Sequence, residues 1–172
     1  RDQTTQIRQI IERQLKRARL AGVSTPGLNF EAAKELDGLA QILRQIYADR
    51  GLLIELDIPA NKSFAGDRED MMELFGNLLD NACKWARSRV ELSIERSGDG
   101  FVLLVDDDGP GIPAAQREQV INRGVRLDES AEGHGLGLGI VSDILTAWRG
   151  EWSLEESPLG GLRVRIALPA TR

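Results

Sequence analysis

The sequence predicts an α/β fold: a two-layer sandwich of a mixed, mostly antiparallel five-stranded sheet packed on three helices, with one further helix appended at the N-terminus. Two observations predict it. Five short runs carry strand patterning, and four of them fall into two pairs joined by Gly-containing turns, the mark of antiparallel hairpins. Stretches with apolar residues at helical spacing lie among them without strict helix–strand alternation, which points to a mixed sheet.

Taken in order, Ile7, Ile10, Ile11, Leu15 and Ala18 recur at helical spacing, so residues 3–20 predict an amphipathic helix ending near Gly22. Residues 23–28 contain Ser, Thr, Pro and Gly and form a linker, leaving residues 29–172 as one domain. Leu36, Leu39, Ala40, Leu43, Ile46 and Tyr47 predict a second amphipathic helix over about 29–49. Leu52–Ile58 alternates as a strand and is closed by Pro59. Asp67 is a good N-cap for a helix running through Trp85, with Asp70 supporting its first turn. Val90–Ile94 and Phe101–Val105 pair through the turn Ser97–Gly100. A helix over about 136–148 follows, and then Glu151–Glu155 and Leu162–Leu168 pair through Pro158–Gly161.

At 172 residues and 41% hydrophobic, the chain can bury one substantial core. A net charge of −5 argues against general nucleic-acid binding. Residues 1–22 carry six bases, Arg1, Arg8, Arg13, Lys16, Arg17 and Arg19, against Asp2 and Glu12, which reads as the polar face of a helix packed in a bundle. One cysteine, Cys83, rules out an internal disulfide and reads as a small apolar residue packed beside a site. No apolar run approaches membrane-spanning length and no signal peptide is visible. The start at Arg1 without a Met reads as a fragment, so any membrane contact is expected through other parts of a longer protein.

Three motifs carry chemistry. At about 100° per residue, Glu73, Asn77, Asp80, Asn81 and Lys84 share one side of a helix, and Met71, Phe75, Leu78, Leu79 and Ala82 the other. A row of carboxylates, amides and one lysine is a poor solvating face and a good place for a metal and a phosphate. Second, the apolar run Phe101–Val105 ends in Asp106, Asp107, Asp108, Gly109, Pro110 and Gly111. Carboxylates at the end of a buried strand are costly unless used, and the glycines let a ligand approach the backbone. Third, Gly133, Gly135, Gly137 and Gly139 alternate with His134, Leu136 and Leu138 before a helix, which predicts an anion site at the helix start. The spacing is that of neither a P-loop nor a dinucleotide fingerprint.

In this order the motifs resemble the N, G1 and G2 boxes of the ATP-binding catalytic domain of two-component sensor histidine kinases (GHKL superfamily: gyrase, heat-shock chaperone, histidine kinase and mismatch-repair ATPases). Asp80–Lys84 and Asn122–Arg126 are closest to the PhoQ-type subgroup, the latter segment standing in the place of the F box without its Phe. The resemblance covers roughly residues 24–168 and implies a Bergerat-type ATP-binding fold. It also implies that residues 1–22 end the second helix of a dimerisation and phosphoacceptor hairpin.

Residue by residue, the resemblance implies that Asp107 accepts a hydrogen bond from the adenine amine, with Gly109, Gly111 and Ile112 beside the base and Trp85 over it. Asn77 would ligate Mg²⁺, with His134 a second candidate ligand, and Asn81 and Lys84 would contact phosphates. Arg126 and Arg123 would meet the γ-phosphate, and Gly133, His134, Gly135, Leu136, Gly137 and Leu138 would form the lid side of the ATP site. Glu73, Lys84 and Arg126 would be the catalytic set, with Glu73 activating the nucleophile. Asp108 is expected to face solvent, Asp106 has no assigned role, and Trp148 and Trp152 are expected to pack in or beside the core.

The implied function is transfer of the γ-phosphoryl group of Mg²⁺-ATP to a histidine and onward to a response-regulator aspartate. The implied partners are the phosphoacceptor hairpin, the response regulator and a second copy bound through that hairpin, without nucleic acid. The implied place is the cytoplasmic part of an inner-membrane sensor. His134, the only histidine, is flanked by glycines in the lid. A phosphoacceptor should project from a helix, so it is expected outside this chain, on its N-terminal side. The alternatives are a stand-alone GHKL ATPase using water as nucleophile and an anti-sigma-factor-like regulatory kinase.

Overall fold

A computed structural model describes residues 29–60, 63–65, 67–126 and 136–169. The appended helix over 3–20 and the linker lie outside the described residues. The elements are β1 (Asn29–Glu31), α1 (Ala32–Ile46), a 3₁₀ turn (Ala48–Arg50), β2 (Leu53–Asp57), β3 (Ser63–Ala65), α2 (Arg68–Trp85), β4 (Arg89–Ser97), β5 (Gly100–Asp107), α3 (Ala114–Arg126), α4 (Leu136–Ala147), β6 (Glu151–Glu156) and β7 (Leu162–Leu168).

The expected sandwich and five-stranded sheet are present. The strand order is β2-β4-β5-β7-β6, and only the β2–β4 pairing is parallel. That pair needs a crossover, and α2 supplies it. Alternation along each strand sorts the faces. Val90, Leu92 and Ile94 of β4, Leu103 and Val105 of β5, and Val164 and Ile166 of β7 turn one face into the core under the helices. The opposite face carries Glu91, Asp106 and Arg163 side by side.

Three features depart from expectation. Asn29–Glu31 is a strand, antiparallel to Ser63–Ala65 in a separate two-stranded ribbon, so the predicted helix starts at Ala32. Phe30 is held there by stacking on Phe75 of α2, with ring centroids 5.8 Å apart. A fourth helix, α3, adds to the expected three among the described residues and packs on α4. Its last residues, Asn122–Arg126, are therefore helical where the sequence placed an F-box segment and no helix.

The helix bearing the polar row is anchored at its start. Asp67 caps α2 as expected, its Oδ1 accepting from the N–H groups of Glu69 at 2.8 Å and Asp70 at 3.1 Å. Arg68 makes a two-pronged pair with Glu35 of α1. The Trp148 indole just beyond α4 donates to Asp70 at 2.9 Å and is half-buried against the core, as is Trp152. Thus α1 and α4 are both tied to the first turn of α2.

Candidate functional site

α2 separates its faces as its sequence implies. Met71, Met72, Leu74, Phe75, Leu78, Leu79, Ala82 and Cys83 are buried, whereas Glu73, Asn77, Asp80 and Asn81 are half-buried and Lys84 is exposed. The Asn77 amide donates from Nδ2 to the Glu73 carbonyl at 2.7 Å, so its oxygen is the atom left to present outward. Asp80 accepts from the Tyr47 hydroxyl at 2.6 Å and lies 3.3 Å from the Lys84 ammonium. Burial, and then the Asp80 charge, push the Tyr47 hydroxyl above the usual phenol range. Burial likewise pushes the Cys83 thiol up to about 12, with Asp80 adding to the effect, which fits an inert packing residue.

Trp85, on the last turn of α2, is 50% exposed and one of two exposed large apolar side chains among the described residues. Its carbonyl touches the loop after β5. A Cβ on Gly109 would overlap that carbonyl, so no other residue fits there. Gly111 has φ +68, a conformation glycine adopts without strain. Ile112 is half-buried against the core.

Each aspartate at the end of β5 does something different. Asp107 is only 4% exposed; its Oδ1 accepts from Gly109 N–H at 2.9 Å and Leu162 N–H at 3.2 Å, and its Oδ2 takes no hydrogen bond from the described residues. Burial pushes its carboxyl above the ordinary range, the two N–H groups opposing and Asp108 and Asp106 adding to the rise. A buried acceptor with one spare oxygen fits a donor on a ligand, such as an exocyclic amine.

Asp106 is buried and pairs bidentately with Arg163 of β7 at 2.8 and 3.0 Å, a cross-strand ion pair on the sheet's other face. Asp108, expected to face solvent, does so only in part, because its carboxylate is engaged by the backbone beside it. Half-buried, it accepts from the N–H groups of Arg87 at 2.8 Å, Ser88 at 3.0 Å and Arg89 at 3.1 Å, and from the Ser88 hydroxyl at 2.5 Å. Burial opposes its charge, but the bonds from Ser88, Arg89 and Arg87 outweigh it and hold the carboxyl well below the usual range.

The β6–β7 turn is a part of the site that sequence reasoning missed. Gly161 donates to the Asp107 carbonyl at 3.1 Å, and a Cβ on it would collide with the Asp107 side chain. The pair Gly160–Gly161 was the available signal, legible only as a hairpin turn. Arg50 was also missed; its guanidinium donates to the carbonyls of Cys83, Lys84 and Ala86.

Arg123 and Arg126 fall in the last turns of α3. Gly133, His134 and Gly135 lie outside the described residues, while Leu136, Gly137 and Leu138 open α4, consistent with the predicted helix start. The site face of α2 and the Asp107 loop meet through the Trp85–Gly109 contact. The Asn77 side-chain oxygen suits an ion such as Mg²⁺, which keeps several waters and takes few protein ligands. No group of three His, Cys, Asp or Glu side chains that could hold a metal occurs among the described residues. Nor is any helix among them long and apolar enough to cross a membrane.

Comparison with known proteins agrees with this geometry. Residues 66–172 match the family model for histidine kinase-, DNA gyrase B- and HSP90-like ATPases, and the chain belongs to that family. It is 52% identical over 170 residues to the sensor protein kinase CarS of Pseudomonas aeruginosa, covering 98% of this chain and 38% of that protein. It is 37% identical over 166 residues to the sensor protein PhoQ of Escherichia coli, covering 96% of this chain and 34% of that one. The chain thus spans little more than a third of these relatives' length. Among solved structures, a mycobacterial sensor histidine kinase, MprB, superposes with a TM-score of 0.70 at 26% identity, covering 84% of this chain and 98% of that one.

Proposed function

We propose that the chain is the ATP-binding catalytic domain of a bacterial sensor histidine kinase. The whole protein would transfer the γ-phosphoryl group of Mg²⁺-ATP to a histidine, and from there to an aspartate of a response regulator. The observation that carries the reading is the buried Asp107 carboxylate, with one oxygen saturated by backbone N–H groups and the other open to a ligand. Its family membership and the sensor kinases it resembles support the same conclusion.

Asp107 would hold adenine through its exocyclic amine, and Trp85 would cover the base. Asn77 would hold Mg²⁺ through its side-chain oxygen, with His134 as a second ligand; the ion would supply charge neutralisation at the phosphates. Lys84 lies beside Asp80 and can turn to a phosphate oxygen, joined by Asn81 and, from the lid side, Arg123 and Arg126. Glu73 would orient or activate the incoming nucleophile. Phosphoryl transfer demands mainly positioning and charge stabilisation, which these groups can provide without covalent chemistry of their own. The partners would be a phosphoacceptor hairpin, a second copy joined through that hairpin and a response regulator, with the domain working in the cytoplasm.

Asp107→Asn tests the reading. An amide in that place can present a donor to the adenine amine, so a buried hydrogen bond is lost or made repulsive. That should cost about 2–4 kcal/mol, or roughly 30- to 1,000-fold in ADP affinity, measured by calorimetric titration on folded protein. Unchanged affinity would remove Asp107 from a nucleotide site.

A further inference from the structure

A helix leaves its last four carbonyls without partners inside it, at the negative end of its dipole. For α2 these belong to Cys83, Lys84, Trp85 and Ala86. They are not left to solvent or to a glycine cap. Arg50, at the end of the 3₁₀ turn after α1, donates from Nη1 to the Cys83 carbonyl at 2.6 Å and the Lys84 carbonyl at 3.1 Å, and from Nη2 to that of Ala86. The remaining carbonyl, that of Trp85, packs on Gly109. One guanidinium, supplied from 33 to 36 residues earlier in the chain, therefore closes the helix end, and the Asp107 loop takes the one carbonyl it leaves.

The same corner also holds a side chain. Tyr47, whose ring centroid lies 5.9 Å from the Arg50 guanidinium, donates to Asp80, and Asp80 pairs with Lys84. We propose that Arg50 is a positioning residue for the nucleotide site: by fixing the last turn of α2 it sets where Lys84 and Trp85 stand and keeps the Trp85 carbonyl seated against Gly109. The inference rests on the nucleotide reading given above. A lysine could not reproduce the arrangement fully, since a rigid fork of donors reaches several carbonyls at once and an ammonium is a single point.

Arg50→Met, which keeps the aliphatic stem and removes the donors, and Arg50→Lys, which keeps the charge, test this with the full chain. Both are titrated with ADP well below their unfolding midpoints, so that affinity is read on folded protein. In parallel the tryptophans are replaced by 5-fluorotryptophan, and their fluorine resonances assigned by single Trp→Phe variants. Arg50→Met should weaken ADP binding on the order of tenfold or more and shift the Trp85 resonance while leaving that of Trp152 in place. Arg50→Lys should recover part of both.

A cap that serves stability alone predicts a lower midpoint in both variants, ADP affinity within about twofold of the unsubstituted chain, and an unmoved Trp85 resonance; that result overturns the proposal. If Arg50→Met does not fold, Arg50→Lys decides by the same two readings. Absence of ADP binding by the unsubstituted chain is a different failure, which overturns the nucleotide reading and this inference with it.

Discussion

Asp108 illustrates how much a single half-buried carboxylate can organise. It gathers the N–H groups of Arg87, Ser88 and Arg89, which close the tight link from α2 into β4. Its folded pKa is lowered, so the stabilisation it confers is fully present above the unfolded value of about 3.9 and is lost as pH falls toward the folded value. Asp108→Asn should cost about 1 kcal/mol at neutral pH, by analogy with the loss of a helix cap. It should lower the thermal midpoint by a few degrees and shrink the difference between parent and variant below about pH 4. Unfolding followed by circular dichroism at both pH values checks this, and equal midpoints at pH 7 would show that the carboxylate clamps nothing. Nucleotide affinity of the folded variant should be unchanged, in contrast to Asp107→Asn.

At the scale of elements, what was legible in the sequence was what a single element can display. The polar and apolar sides of α2 follow from helical spacing alone, and every apolar position assigned to its core side is buried. Both hairpins were legible because strand and turn lie within one short stretch. The contacts that finish the site were not, because their partners are far apart in sequence. Leu162 reaches Asp107 across 55 positions and Arg50 reaches Cys83 across 33. The ribbon β1–β3 escaped notice for a related reason: three-residue strands are too short to show alternation.

One element end is also strained. After α4, Arg149 has φ +55, the left-handed conformation that usually falls to glycine, while Gly150 donates back to Leu145 at 2.7 Å. Arg149→Gly should therefore stabilise the fold by about 0.5–1 kcal/mol, read as a higher denaturant midpoint with an unchanged slope. A lower midpoint would mean that the arginine side chain contributes more than its backbone costs.

For the whole molecule, the proposed function separates nucleotide binding from chemistry. The chain should bind ATP yet neither label itself nor turn ATP over at an appreciable rate. Its one histidine is His134, flanked by glycines, and water without a positioned acceptor gains little from the site. Incubating the chain with γ-labelled ATP and measuring both free phosphate and protein-bound label checks this. Steady phosphate release abolished by Glu73→Ala would identify a water-using ATPase instead, and label on His134 would identify that residue as the acceptor.

The double anchoring of Asp107 has a consequence for which base the site would accept. With Oδ1 fixed by N–H groups from the loop after β5 and from the start of β7, the carboxylate cannot turn, and Oδ2 is committed to being an acceptor. Adenine offers an amine at its six position, whereas guanine offers a carbonyl oxygen at the same place. Two acceptors would then face one another at a carboxylate that is almost fully buried, a mismatch of about 1–3 kcal/mol. GTP should accordingly displace a fluorescent ADP analogue roughly 5- to 150-fold less effectively than ATP does. Equal displacement would mean that the base is read elsewhere. The discrimination would come from the rigidity of one carboxylate, set by a hairpin at the far end of the chain.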